Sequence, residues 1–463
     1  MVDIPARSRE KTAMQARGFY PARRLLLPVQ KFVHTEVSGG LILFTVTVIA
    51  LIWANSRWAS SYDALWNAET SWRVGSFLLA HSLREWVNDG LMAIFFFVVG
   101  LELKREIVRG ELSDWQRASL PIAAAVGGMV IPALVYIAFN YAEPTVRGWG
   151  IPMATDIAFA LGVLALLGDR IPASLRVFLL ALATVDDIGA IVVIAIFYSG
   201  HLVFTALLAA LILIAAIAAM QRLGVRNLLC YLPVAALFWF AVLLSGVHAT
   251  IAGVILGFVT PMSPYLTKET FSATIPDPIT NHKQAEAVGE RDRSEALLEE
   301  LETLTAATEA PGDRLIRLIH PWSSFLVLPI FALANAGIVL SSEVFREALA
   351  GPIGVSRGII FGLVVGKVVG IVSFAFLAIQ LGLARLIDGI SWLHVLGAGV
   401  LGGIGFTVSL FITDLAFIDP VVNARAKLGV VIASVISGAG GYLMLRSLGV
   451  SRARHDVSQM NPV

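Results

Sequence analysis

The sequence predicts an all-α polytopic membrane protein with about twelve transmembrane helices. Long apolar runs recur along the chain, each close to the roughly 20 residues that cross a hydrocarbon core about 30 Å thick. Of the 463 residues, 57% are hydrophobic and only 14% charged, against about 25% charged in soluble domains. The runs lack the strict alternation of a membrane barrel strand. A mean hydropathy of +0.79 agrees. The net charge of +1 gives no reason to expect nucleic acid as a partner. The single cysteine, Cys230, cannot form an intrachain disulfide and has no metal-ligand pattern around it.

In order, the runs lie near 37–54, 87–103, 118–140, 149–168, 173–199, 203–220, 228–244, 246–261, 319–341, 355–380, 392–415 and 428–448. The seventh and eighth are short and poorly separated. The first has no small-residue cleavage site after it and reads as a retained span rather than a signal peptide. Residues 1–36 form a basic tail (Arg7, Arg9, Lys11, Arg17, Arg23, Arg24, Lys31) ahead of a membrane domain over 37–448, with 449–463 as a C-terminal tail. Short-loop Lys and Arg set the orientation. Lys104, Arg105, Arg109, Arg117, Arg170, Arg176, Arg222, Arg226, Arg385, Arg446, Arg452 and Arg454 fall on the side predicted to be inner. Arg57, Arg73 and Arg84 are outer exceptions. An even number of spans then places both termini inside.

Residues 262–318 interrupt the apolar pattern as a hydrophilic inner insertion. Within it "RSEALLEELETLTAATEA" can form a short acidic amphipathic helix, and the remainder reads as disordered linker. A mobile loop or a regulatory, partner-binding segment both fit this composition.

Ionisable residues inside spans carry the functional signal. Each costs about 2.5–3.5 kcal/mol at a helix centre. Asp186 and Asp187, adjacent in "LLALATVDDIGAIVVIAIFY", therefore oppose insertion by about 5–7 kcal/mol if unpartnered. They are either interhelix hydrogen-bonding residues or a functional pair. Neighbours on a helix diverge by about 100°, so one can face a cavity while the other faces a neighbouring helix. Lys367, deep in "FGLVVGKVVGIV", is nearly as costly, and the economical inference is that it faces one of the aspartates. An aspartate left without a cation in low dielectric can hold a proton or a cation, but not both with equal ease. Asp156 follows Pro152 and Thr155 in "GIPMATDIAFALG". A second candidate break lies in the opposite half, where "VLGAGVLGGIGFTVSL" holds Gly397, Gly399, Gly402, Gly403 and Gly405. Such glycines either permit close helix packing or break the helix, so that half-helix dipoles act on ions. "LELKRE" brings Glu102, Arg105 and Glu106 to an inner helix end, where mixed charges usually form solvated i,i+3 and i,i+4 pairs. His248 alone is more often a packed residue than a sensor.

Several stretches closely resemble the bacterial NhaA sodium/proton antiporters: "FFFVVGLELKREIVRGEL", "ATDIAFALGVLALLG", "VDDIGAIVVIAIFY", "SGVHATIAGVILGF", "HPWSSFLVLPIFALANAG", "GKVVGI" and "GGIGFTVSLFI". Order and rough spacing agree from about residue 35 to 448. The resemblance implies twelve spans with inverted-topology repeats and two discontinuous helices crossing at midplane. The two candidate breaks suit that pattern, but this family is itself an example of the rule, so the agreement is not independent. The resemblance further implies that Asp187 is a ligand for transported Na⁺ and a proton carrier, with Asp186 beside it and pairing with Lys367. Thr155 and Asp156 are implied to lie at the helix break, Asp156 offsetting positive helix ends and Lys367 negative ones. A pH-responsive cluster at the cytoplasmic entrance maps onto Glu102, Arg105 and Glu106, with His248 a contributor. The implied activity is electrogenic, pH-regulated Na⁺(Li⁺)/H⁺ antiport in a bacterial inner membrane, without enzyme chemistry or cofactor, and with a homodimer as one assembly. The chain departs from the family pattern in its long insertion and in Ile316, which stands where a carboxylate is expected. Two other classes are weaker. A proton-coupled symporter for an organic solute needs polar and aromatic groups around the site. An intramembrane aspartyl protease would use Asp156 and Asp187 as its dyad but leaves Asp186 and Lys367 unexplained.

Overall fold

The structure is a computed structural model that describes residues 36–74, 77–225, 227–340, 346 and 354–460. The predicted basic tail lies outside the described residues except for Glu36, as does Arg226. Nothing is described of the side chains of Arg73, Arg452 and Arg454.

The chain is mainly helical. Among the described residues, seven helices are long and apolar enough to cross a membrane, or up to nine if each of two bent pairs is one span. Helix α1 (Glu36–Ala54) turns through 112° into α2 (Ala59–Trp66). A two-stranded antiparallel hairpin follows, β1 (Glu69–Val74) with β2 (Phe77–Ser82), so the fold is not purely helical as predicted. Helix α3 (Met92–Arg109) follows a π turn at Val87–Leu91. Helix α4 (Trp115–Asn140) is capped by Asp114, whose side chain accepts from Gln116 N. A 3₁₀ stretch, Pro144–Met153, precedes α5 (Ile157–Leu167). Next come α6 (Ala173–Phe197), α7 (Phe204–Arg222), α8 (Tyr231–Leu244) and α9 (Ala249–Val259). After the insertion run α13 (Pro311–Trp322), α14 (Leu328–Asn335), α15 (Val355–Phe361), α16 (Lys367–Gln380), α17 (Trp392–Gly402), α18 (Phe406–Ala416) and α19 (Pro420–Met460). Helix α19 carries on past the predicted boundary at 448.

Small residues set the tightest packing. A methyl group on Gly127 of α4 would strike Gly370 O of α16, and one on Gly370 would strike Gly127 O. Backbones approach this closely only where neither residue has a side chain. Helices α3 and α9 meet in the same way, with Gly253 against Ala93 and Gly257 against Phe97 and Gly100. Their residue numbers rise together along the contact, so the two helices run parallel.

The insertion corrects the sequence reading. Helices α10 (Lys268–Thr274), α11 (Pro276–Val288) and α12 (Arg291–Ala307) occupy most of what reads as disordered linker. Helix α12 is the acidic helix expected from the sequence. Thr267 caps α10 by accepting from Thr270 N. Gly289, at φ 82°, ends α11 in the left-handed region that favours glycine. Pro278 and Ala285 of α11 and Ala307 of α12 are buried, and Ser294 Oγ lies 3.0 Å from His282 Nδ1. At its base, Leu266 N donates to Ala307 O at 2.9 Å and Gly312 N to Pro261 O at 3.0 Å, which holds the two ends of the insertion together.

Candidate functional site

Two chain breaks face each other within the main apolar core. Residues 154–156 are non-helical between the 3₁₀ stretch and α5, and residues 403–405 separate α17 from α18 at a 44° bend. Asp156 N donates to Ile404 O at 2.6 Å. Ser409 Oγ donates to Ile151 O at 2.7 Å. A Cβ on Gly405 would lie 3.1 Å from Ala154 O, tighter than most side chains come. The glycine there lets the two breaks touch.

Asp156 serves two helix beginnings at once. Its Oδ1 accepts from Phe159 N at 3.0 Å, which caps α5. Its Oδ2 accepts from Thr407 N at 3.0 Å and Thr407 Oγ1 at 2.6 Å, at the start of α18. Helix N-termini carry unpaired N–H groups and partial positive charge, so one carboxylate here satisfies both.

Asp186 and Asp187, near the middle of α6, have different surroundings. Lys367, fully buried at the start of α16, forms an ion pair with Asp186 Oδ2. Thr155 Oγ1 lies 2.6 Å from the same oxygen and 2.9 Å from Gly402 O. Asp187, by contrast, lines a cavity of about 340 Å³. Thr155, Asp156, Thr184 and Thr407 share that cavity, as do Glu102, Arg105, Glu106 and His320. Among the described residues, neither Asp186 Oδ1 nor Asp187 Oδ1 has a hydrogen-bond partner.

The mouth residues come from α3 and α13. His320 Nε2 is 3.5 Å from Glu102 Oε1, and Arg109 pairs with Asp313 at 3.1 Å. Glu106 Oε2 accepts from Glu111 N at 3.1 Å. Ile316 packs with Leu101 and Met262 as a small apolar cluster. His248 is not part of this group, contrary to the sequence expectation. It precedes α9, 3.9 Å from Asp89 and edge-on to Phe411. Asp89 lies thirteen residues before Glu102, about 20 Å along a helix. The parallel packing of α3 and α9 is the reason, since it puts the start of α9 beside the start of α3.

Sequence reasoning missed His320, Thr184 and Thr407. His320 was visible only as part of "HPW". Thr184 sits one turn before Asp187, and Thr407 lies two residues after the second break, so both had a spacing signal.

A family profile described as Na⁺/H⁺ antiporter 1 matches residues 30–445. The chain belongs to this family. Every site residue described above falls inside the matched stretch. Among its relatives is the Na(+)/H(+) antiporter NhaA of Oleidesulfovibrio alaskensis, 45% identical over 433 residues that cover 92% of this chain and 95% of the relative. The NhaA of Rhodopirellula baltica is 45% identical over 425 residues, with 92% and 95% coverage. NhaA 2 of Sorangium cellulosum is 46% identical over 436 residues, covering 92% of each chain.

Proposed function

We propose that the protein is a secondary active antiporter that expels Na⁺, and also Li⁺, in exchange for H⁺. The observation that carries this is the asymmetry of the aspartate pair. Asp186 is held by Lys367 and Thr155, while Asp187 lines the cavity. Protons arriving from outside load the aspartate site, one of them on Asp187. When the site opens inward they leave, and a cation takes their place. Carboxylates, hydroxyls and carbonyls suit a small hard cation. Asp156 balances the two helix starts at the breaks, and Lys367 balances Asp186, so both belong to the cation- and proton-binding group.

The finer reading follows the same lines. Helical segments lie at each of the predicted apolar runs, which supports twelve spans. The paired breaks support two discontinuous helices crossing at midplane within inverted repeats. The charge pattern supports a bacterial inner membrane location with both termini cytoplasmic, and makes 262–318 a cytoplasmic insertion. Glu102, Arg105 and Glu106, joined by His320, form the pH-responsive mouth. If more protons than sodium ions move per cycle, each net charge gains about 2.3 kcal/mol per 100 mV from the membrane potential. A homodimer is one assembly compatible with this reading. The test is Na⁺-induced proton movement in everted vesicles. Wild type should show it and Asp187→Asn should not. Retained movement in the variant contradicts the assignment.

A further inference from the structure

We infer that Thr184 is an oxygen ligand on the cation's path to Asp187, and so helps to set cation affinity. The inference rests on the antiport reading above and adds a residue to its site. Thr184 and Asp187 are three residues apart on α6, which puts them on one face with Cβ atoms about 5–6 Å apart. Both line the same cavity. Thr184 lies toward the Glu102 end, because α6 begins on the Arg176 side that the charge pattern makes inner. A cation entering past Glu102 and His320 reaches Thr184 before Asp187.

The hydroxyl is also oriented for this role. Thr184 Oγ1 donates its one hydrogen to Leu180 O at 2.7 Å. A threonine hydroxyl has one donor and two lone pairs, so what remains for the cavity is acceptor only. Oxygen lone pairs beside a carboxylate suit a hard cation, and Asp187 supplies that carboxylate in the same cavity. Thr47 makes the same bond to the carbonyl four residues back, at 2.7 Å, but does not line the cavity. Such a bond slightly destabilises a helix, so it does not account for a hydroxyl at 184.

The experiment measures Na⁺- and Li⁺-dependent proton exchange in everted vesicles for wild type, Thr184→Val, Thr184→Ser and Thr47→Val, alongside thermal midpoints in detergent. Thr184→Val should raise the KM for Na⁺ roughly tenfold and change the Na⁺/Li⁺ KM ratio, with the maximal rate little altered. Thr184→Ser should restore the wild-type KM, and Thr47→Val should leave it unchanged. If Thr184→Val does not fold, Thr184→Ala carries the same expectation. A wild-type KM in Thr184→Val, or a Thr184→Ser variant as impaired as Thr184→Val, overturns the inference and leaves the antiport reading standing. Absence of exchange in wild type overturns both.

Discussion

Asp186 and Asp187 are adjacent in the chain but have different surroundings. Around Asp186 the structure is closed: a fully buried lysine and a threonine hydroxyl both engage one oxygen. Around Asp187 it is open to a cavity lined by hydroxyls and leading to a mouth of mixed charge. A step of about 100° along one helix separates them. The comparison teaches that the cost of burying two carboxylates is met in two ways. One charge is neutralised by the protein, and the other is left for whatever enters.

Breaking the open side should have the largest effect on function. Asp187→Asn should abolish Na⁺-driven proton movement in vesicles while leaving the thermal midpoint in detergent close to wild type. Breaking the closed side should show first in stability. Lys367→Ala leaves Asp186 buried without its cation, and removing one partner of such a pair costs about 3–5 kcal/mol. A clearly lowered thermal midpoint is expected, and an unchanged one would argue against the pairing. At the mouth, Glu102→Gln should shift the pH profile of exchange and largely spare its maximal rate, measured as proton flux across a pH series.

These residues were not equally legible. The aspartates and Lys367 stand out because charge in an apolar run is costly, and that cost can be read without any structure. The breaks at Pro152–Asp156 and Gly402–Gly405 were visible as helix breakers, but their contact was not, since it depends on Asp156 N meeting Ile404 O across the core. His248 was misplaced because its position follows from α3 and α9 running parallel, a fact of packing. The insertion was misread because its composition is polar, although Thr267, Pro276 and Gly289 were local signals of helix ends.

The smallest expected effect lies in that insertion. The Arg317 guanidinium hydrogen-bonded to Glu309 holds the Glu309 carboxyl below its ordinary value. A lowered carboxyl stabilises the fold above the ordinary carboxylate range, and the contribution fades as pH falls through the lowered value. The pair is largely exposed and screened. Arg317→Ala should therefore change stability slightly at neutral pH and not at all in strong acid, read from thermal midpoints at the two pH values.

The central claim is that H⁺ and Na⁺ compete for Asp187. Calorimetry of Na⁺ binding to purified protein, repeated in buffers of differing ionisation heat, tests it most directly. The account predicts a heat that changes with the buffer because bound Na⁺ displaces the proton of Asp187, and the loss of that dependence in Asp187→Asn. Sodium binding to the wild-type protein with the same heat in every buffer would contradict it.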